Sequence, residues 1–157
     1  MDAAHTAAAS APASAATQQL ERLVLVELNS VRRTRGLSPL RSSAPLSEAA
    51  RIHSSAMGRF GFFAHESRDG SPFHERVRQF YGPKDEGWSV GENLLWSTTG
   101  IAAKQAVELW MKSPSHRANI LTPRWREIGL AAVSVARAPG VFRGRDVVIV
   151  TTDFGVR

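Results

Sequence analysis

The sequence predicts an α/β fold, a three-layer α/β/α sandwich around a small, mostly antiparallel sheet. Four segments repeat apolar residues at helical spacing, and three others have the pattern of strands. The segment from Val147 to Val150 is apolar at every position, so both faces of that strand should be covered. Helices on both sides of one sheet provide this cover with a single core.

The first two helices are predicted from apolar spacing and from the residues at their ends. The first runs from about Gln18 and ends at Gly36, a residue typical of helix C-termini. The second spans residues 44–59, with Ser43 as its N-cap and Pro45 in its first turn.

Two further helices follow in the second half of the chain. A short helix begins at Ser71-Pro72 and ends before Gly82. The next covers residues 100–112, is capped by Thr99 and turns Trp110 inward, so that Trp110 is a structural anchor. We expect Pro114 to end this helix.

Three strands account for the remaining ordered segments. Residues 88–94 alternate between apolar and polar side chains, which is typical of a strand. Residues 128–135 and 146–152 form two more, joined through a turn at Ala138-Pro139-Gly140. The predicted domain spans residues 18–157.

An N-terminal tail precedes the domain over residues 1–17. Nine of the first sixteen residues are alanine, with serine, threonine and proline between them, a composition that favours a disordered tail. The tail lacks the positive n-region and the apolar h-region of a complete signal peptide. It has the character of the mature start of an exported protein, which predicts a secreted or periplasmic location; an ordinary disordered tail is the alternative.

Length and composition restrict the classes of function. A chain of 157 residues predicts one domain, and no apolar run reaches the roughly 18 residues of a membrane span. Because there is no cysteine, disulfides, thiolate nucleophiles and cysteine-based metal sites are excluded.

The net charge of +6 comes mainly from arginine and is concentrated towards the C-terminus. A basic surface attracts anionic polymers, including nucleic acid, lipid surfaces and wall glycans. The arginines are scattered, which is typical of a solvated surface, so no specific nucleic-acid partner is expected. We expect a monomer whose ligand is a cell-wall or lipid component.

Two of the five histidines are candidate functional residues. His65 and His116 lie at the ends of predicted elements, where scaffolds usually carry functional side chains. His53 lies on an apolar helix face and is interpreted as a core histidine with one hydrogen bond. His74 is expected to be a polar surface residue.

Glu92 is an acid on an otherwise apolar strand face, so it needs a partner. A charged imidazole or a divalent cation would satisfy it, and backbone amides after Gly91 are the alternative. His65, Glu92 and His116 therefore predict either a two-histidine, one-carboxylate metal site or a His–Glu acid/base pair. Their spacing does not decide between the two.

Short motifs follow one another from about residue 20 to residue 155, and in this order they resemble a known family. They are Leu28-Asn29-Ser30-Val31-Arg32, Gly36-Leu37-Ser38-Pro39-Leu40, Ala49-Ala50, Met57, Phe62-Phe63-Ala64-His65, Asp69-Gly70, Gly91-Glu92-Asn93-Leu94, Trp110 to Leu121, Ile128-Gly129-Leu130-Ala131 and Thr152-Asp153-Phe154-Gly155. The set resembles the CAP superfamily, also called the SCP domain, which includes cysteine-rich secretory, antigen 5 and pathogenesis-related 1 proteins. The likeness is greatest to its bacterial extracellular branch.

The resemblance implies a secreted α/β/α sandwich with a cleft of two histidines and two acids that binds divalent metals, zinc especially. His65 and Glu92 match the family positions. Ser113 stands where the eukaryotic pattern has its other glutamate, and Ile149 lies nearest to the position of its second histidine.

For the remaining two cleft positions the sequence offers substitutes. We assign His116, from the Ser-Pro-x-His-Arg motif, to the place of the second histidine. Asp153 is the late acid near the cleft strands, with a turn cap as its alternative role.

Three functions follow from this interpretation, in order of preference. The first is a non-enzymatic binding module that holds a divalent cation, zinc for preference, at His65, Glu92 and His116. The second is a metal-assisted hydrolase of peptide or ester bonds, with Glu92 as general base. The third is a lipid or sterol carrier with a groove lined by tryptophans.

Overall fold

The structure is a computed structural model, and it describes residues 14–84, 86–98 and 100–157. Its elements in chain order are α1 (Ala15–Arg33), β1 (Arg41–Ser42), α2 (Ala44–Phe60), α3 (Phe73–Phe80), β2 (Ser89–Ser97), α4 (Ala103–Lys112), α5 (Pro114–Leu121), β3 (Glu127–Ala138), a short 3-10 helix (Gly140–Phe142) and β4 (Arg145–Val156).

The strands form one four-stranded sheet in the order β1-β3-β4-β2. The long strands β2, β3 and β4 pair antiparallel, while the two-residue β1 pairs parallel with β3. β2 and β1 are therefore the edges, and the predicted small, mostly antiparallel sheet is confirmed.

Helices cover both faces of the sheet, which confirms the predicted α/β/α sandwich. On one face, α1, α4 and α5 enclose a cluster that includes Leu28, Trp110 and Phe154. On the other face, α2 and α3 enclose clusters around Met57 and Leu46. Burying apolar surface on both faces supplies the main driving force for this arrangement.

Trp110 is a structural anchor, as predicted. Its ring is buried, and its Nε1–H donates to the carbonyl oxygen of Leu94 at 2.9 Å. Because a buried indole N–H needs a partner, this bond fixes α4 on β2.

The first helix begins earlier than predicted. α1 starts at Ala15, and the side chain of Ser14 accepts a hydrogen bond from the backbone N–H of Thr17. The predicted boundary at residue 17 therefore falls inside the first turn, because a serine cap outweighs the alanine-rich composition there. The rest of the predicted tail, residues 1–13, lies outside the described residues.

Two predicted helix caps differ from the structure. Ser43 occupies the N-cap position of α2, but its side chain makes no capping hydrogen bond. α4 begins at Ala103, with Ala102 at the N-cap position, three residues later than predicted. Thr99, the predicted cap, lies outside the described residues.

Pro114 ends α4 as predicted, but it also begins a helix that the sequence did not indicate. Proline suits the first position of a helix because its missing N–H would be unpaired there in any case. α5 (Pro114–Leu121) has no strong amphipathic pattern, so periodicity could not reveal it. The strands also extend beyond the predicted ends, β2 to Ser97 and β4 to Val156.

Asn29 and Arg32, from the Leu28-Asn29-Ser30-Val31-Arg32 motif of α1, hold neighbouring segments of the chain in place. The side chain of Asn29 donates to the carbonyl oxygen of Leu40 and accepts from its N–H, which holds the chain entering β1. Buried Arg32 donates to the carbonyl oxygens of Ser38, Ile120 and Thr122. Through these bonds Arg32 ties the end of α1 to the end of α5. None of the described helices has the length and apolar character needed to cross a membrane.

Candidate functional site

Glu92 lies in the middle of β2, on the face covered by α2 and α3, and its carboxylate is buried. His65 Nδ1 donates to its Oε1 at 2.8 Å. Arg76 Nη2 donates to its Oε2. Both oxygens of this buried charge are thus engaged by groups that carry or share positive charge, as burial requires. Glu92 thus has two partners, the imidazole of His65 and the guanidinium of Arg76.

Arg76 connects α3 to the loop that carries His65. Besides Glu92, its guanidinium donates to the carbonyl oxygen of His65 at 3.2 Å and to Ser67 Oγ at 3.3 Å. The side chain is itself buried. One arginine therefore fixes both the backbone of the loop and the carboxylate against which the imidazole rests.

His65 presents its other ring nitrogen away from Glu92. A carboxylate only accepts hydrogen bonds, so Nδ1 carries the proton of this contact. Nε2 has no hydrogen-bond partner among the residues that the structure describes, and the side chain is 49% exposed. The hydrogen bond to Glu92 raises the pKa of His65, against the opposing effect of burial.

His53 holds the loop that carries His65 through one hydrogen bond and one ring contact. Its Nε2 donates to the carbonyl oxygen of Ala64 at 2.8 Å, and its ring meets Phe62 edge-on. Burial is the largest effect that lowers the pKa of His53, to about 4, so the ring is neutral near pH 7. The prediction of a core histidine with one hydrogen bond is confirmed.

α5 closes the open edge of β2 and brings His116 to the site. Asn119 Nδ2 donates to the carbonyl oxygen of Glu92 and to Asn93 Oδ1, each at 2.9 Å. Asn93 Nδ2 donates to the carbonyl oxygen of His116 at 3.1 Å. Side-chain amides thus pair with the edge of a strand that would otherwise stay unpaired.

Gly91 makes this close approach possible. A Cβ at that position would lie 3.0 Å from the ring of Trp125 and 3.1 Å from Asn119 Oδ1. The Gly-Glu-Asn motif therefore has three physical roles: space for α5, a buried acid and an amide that holds the backbone of His116.

His116 lies in the first turn of α5 and is half-buried. Burial lowers its pKa, and the charge of His65 lowers it further, so the two imidazoles interact electrostatically. Its ring makes no hydrogen bond to Glu92 within the described residues. The structure brings His65 and Glu92 into direct contact, and His116 is the separate member of the predicted set.

Asp153 is part of the same buried group. It lies on β4 directly opposite Glu92, and both its oxygens are buried without a hydrogen-bond partner in the described part of the chain. Burial and then the neighbouring Glu92 carboxylate raise the pKa of Asp153 well above its usual range. Asp153 therefore lies within a strand, in a setting that favours its protonated form, and the alternative of a turn cap was wrong.

A metal ion would find an incomplete set of donors here. Within residues 14–84, 86–98 and 100–157, no three His, Asp or Glu side chains are arranged to hold a metal ion. Glu92 is occupied by His65 and Arg76, so the ring nitrogens of His65 and His116 remain. Histidine ligands of metals usually donate their other N–H to a carboxylate, as His65 does. Metal binding by His65, Glu92 and His116 together stays a prediction.

Neither the role of Arg76 nor the raised pKa of Asp153 was predicted from the sequence. A signal for Arg76 exists, since it shares one helix face with Phe73, Val77 and Phe80, and Val77 is fully buried. A lone arginine among apolar positions on such a face indicates a buried ion pair.

Comparison with known proteins identifies the class to which this fold and site belong. The model of the cysteine-rich secretory protein family, CAP, matches residues 25–151. The chain belongs to this family, which confirms the resemblance drawn from the motifs. An uncharacterized protein of Bacillus subtilis (strain 168), YkwD, is 34% identical over 125 residues, which are 79% of this chain and 46% of the relative. The chain thus spans less than half the length of the curated relative it matches.

Solved structures show the same fold. An extracellular protein of Bacillus anthracis that contains an SCP domain has a TM-score of 0.71 at 19% identity, over 94% of this chain and 45% of that protein. An outer surface protein of Borrelia burgdorferi has a TM-score of 0.67 at 20% identity, over 89% of this chain and 94% of that protein. A cysteine-rich secretory protein of Staphylococcus aureus has a TM-score of 0.66 at 16% identity, over 93% and 40%.

Proposed function

We propose that this protein is a non-enzymatic binding module and that it takes its ligand at the exposed edge of His65. The observation that carries the proposal is the engagement of both Glu92 oxygens, one by His65 and one by Arg76. A carboxylate held in this way serves to orient the imidazole. His65 is left with a free Nε2, fixed in direction by its hydrogen bond.

The class of ligand that suits the exposed edge of the His65 ring is a divalent cation, and zinc is the preferred one. In its neutral form an imidazole nitrogen is a good zinc ligand, and His65 and His116 each offer one. Water or a group of a bound molecule would complete the coordination. The cation, when bound, would supply a positive charge that attracts an anionic group of a larger ligand.

Two other functions receive less support. A hydrolase with Glu92 as general base needs water within reach of the carboxylate, whereas the Glu92 side chain is fully buried between His65 and Arg76. A lipid carrier needs an apolar groove, whereas Trp125 is buried and the half-buried Trp88 and Trp96 are held by contacts within the fold. Trp88 donates to the carbonyl oxygen of Tyr81, Trp96 meets Phe142 edge-on and Trp125 stacks on Phe154.

We further propose that the protein acts outside the cytoplasm. The solved relatives from Bacillus anthracis and Borrelia burgdorferi are described as extracellular and outer surface proteins. Detection of the protein in the culture supernatant or the periplasmic fraction of its host would support this, and confinement to the cytosol would contradict it.

Calorimetric titration of zinc into chelator-treated protein tests the binding proposal. We expect binding at about pH 7.5 that is lost near pH 5.5, because protonated imidazole cannot ligate. His65→Ala should weaken zinc binding at least about tenfold while the protein still folds, with a lower melting temperature because buried Glu92 loses one of its two partners. His74→Ala, which alters an exposed histidine of α3, is the control and should bind as the wild type does. Equal loss in both variants, or no loss in His65→Ala, would contradict the proposal.

A further inference from the structure

One corner of the molecule combines exposed apolar side chains with arginines. We call it the arginine corner and define it by Arg59, Phe60, Arg68, Val141 and Arg143. It is built from the end of α2, the loop after α2 and the turn between β3 and β4. Neither the proposed binding site nor the core requires these side chains.

Two glycines hold the two halves of the corner together. The N–H of Val141 donates to the carbonyl oxygen of Gly61 at 3.0 Å. A Cβ on Gly140 would lie 2.1 Å from that same oxygen, and a Cβ on Gly61 would lie 2.6 Å from the carbonyl carbon of Pro139. The backbones therefore touch, and Phe60 and Val141 flank one seam. Because of this backbone contact, the two halves of the arginine corner keep a fixed position relative to each other.

The apolar part of the corner faces solvent. Phe60 is 41% exposed and Val141 is 51% exposed. Phe142, the neighbour of Val141, is fully buried and meets Trp96 edge-on. The buried Phe142 fixes the turn to the core, and the side chain of its neighbour Val141 therefore faces solvent.

Arginines surround this apolar part. The guanidinium carbon of Arg68 lies 3.8 Å from the ring centroid of Phe60, and that of Arg59 lies 5.1 Å from it. Cation–π contact of this kind holds the charges beside the exposed ring. Arg59, Arg68 and Arg143 form no ion pair with a carboxylate in the part of the chain that the structure describes. Their charge is therefore available to a partner.

The turn carries further arginines in an unusual backbone state. Arg137 and Arg143 have φ values of 49° and 55°, in the left-handed region where glycine is favoured. Such a conformation costs about 1 kcal/mol or more for a residue with a Cβ. Arg143 ends the 3-10 helix and Arg137 lies where the β3–β4 register shifts, so the backbone of this turn carries three arginines, with Arg145, in a short stretch.

The nearby carboxylates reduce this charge only in part. Asp146 accepts a hydrogen bond from the N–H of Arg137, and Asp69 accepts two from Ser71. These two are committed to local turns, and Glu66 is the third acid in the vicinity. Five arginines against three acids leave an excess of positive charge.

We propose that the arginine corner docks on an anionic phospholipid bilayer, with Phe60 and Val141 entering the headgroup layer and the arginines contacting phosphates. A soluble polyanion would engage the charges but has no use for the exposed phenyl ring and isopropyl group. A bilayer interface accepts both kinds of group, since apolar side chains bury there while cations meet headgroups.

Co-sedimentation of the full chain with vesicles tests this inference. The probes are vesicles of phosphatidylcholine alone and vesicles of phosphatidylcholine mixed with phosphatidylglycerol. We expect binding to the anionic vesicles only, weakened by added salt. The double variant Arg59→Gln/Arg143→Gln should bind roughly 25-fold more weakly, at roughly fivefold per arginine near an anionic surface. Phe60→Ser/Val141→Ser should weaken binding by about tenfold.

Matched controls lie elsewhere on the surface. Val26, 57% exposed on α1, and Arg22, also exposed on α1, supply the double variant Arg22→Gln/Val26→Ser, which should bind as the wild type does. Equal binding to both kinds of vesicle, or equal loss in the control, would overturn the inference. So would binding that depends on the arginines alone and is matched by soluble polyphosphate, since that defines a polyanion site. If the apolar double variant fails to fold, Val141→Ser alone replaces it, since Val141 is 51% exposed, and it should still weaken binding to the anionic vesicles.

Discussion

Glu92 and Asp153 face each other across the β2–β4 pair in two different electrostatic settings. His65 and Arg76 both bond to the carboxylate of Glu92. Asp153 is fully buried, and burial together with the neighbouring Glu92 raises the pKa of Asp153 well above its usual range, which favours its protonated form. The environment thus separates two acids that the sequence presents alike.

Replacing Asp153 with its neutral isostere tests this assignment. In the unfolded chain Asp153 is charged near pH 7, whereas in the folded chain its pKa is raised, so folding must take up a proton. The uptake of this proton costs stability. The cost is absent below the unfolded pKa of 3.8, and it grows as the pH rises above that value. We expect Asp153→Asn to increase the free energy of unfolding at about pH 7.5 relative to its effect near pH 3.5. Urea unfolding at both pH values measures it, and a pH-independent effect would contradict the neutral state.

The Arg76–Glu92 pair should respond to single and double substitution differently. Arg76→Met removes a partner from a buried charge and should lower the free energy of unfolding by about 3–5 kcal/mol. Arg76→Met/Glu92→Gln leaves no unpaired charge and should lose less than Arg76→Met alone. Arg78→Met, an exposed arginine on the same helix, should change stability by less than about 0.5 kcal/mol. If the double variant is the least stable of the three, the pair is not the main source of the loss.

His53 should make stability depend on pH in the acidic range. Its pKa is about 4 in the folded protein and 6.5 as a free side chain, so the unfolded chain binds more protons between these values. Stability is therefore full above pH 6.5 and falls as the pH drops towards 4. The loss corresponds to about 3 kcal/mol at most.

The difference between wild type and His53→Gln isolates this effect from that of other titrating groups. Glutamine can still donate to the carbonyl oxygen of Ala64, but it does not titrate. We expect the wild type to lose stability relative to the variant as the pH falls from 6.5 to 4. Parallel pH profiles in urea unfolding would contradict the buried neutral imidazole.

Two N-terminal deletions should differ in stability. Removal of residues 2–13 keeps Ser14 as the cap of α1 and should leave the melting temperature nearly unchanged. Removal of residues 1–17 takes away Ser14 and the buried Thr17, and should cost about 1 kcal/mol or a few degrees. Thermal unfolding of both proteins measures this, and identical melting temperatures would show that the cap contributes nothing.

The layered fold followed from patterns that are local in the chain. The spacing of apolar residues in α1, α2 and α4 and the apolar run in β4 reflect which side of each element meets the core. The motif around His65 and the Gly-Glu-Asn motif were sufficient to expect that His65 and Glu92 meet. Each of these inferences depends on neighbours within a few residues or on a family pattern.

What the sequence by itself determined was the α/β/α class, the core histidine at His53 and the buried acid at Glu92, because side-chain periodicity shows which residues are buried. Only the tertiary structure decided that Arg76 bonds to Glu92 and that the pKa of Asp153 is raised. It also decided that α5 closes the edge of β2 beside His116. These depend on strand register and on the docking of α3 and α5, which bring together residues 16 to 61 positions apart. For residues so far apart in the chain, the order of polar and apolar residues does not show which side chains will meet. The pairing of these side chains and their pKa values therefore depend on how the elements pack.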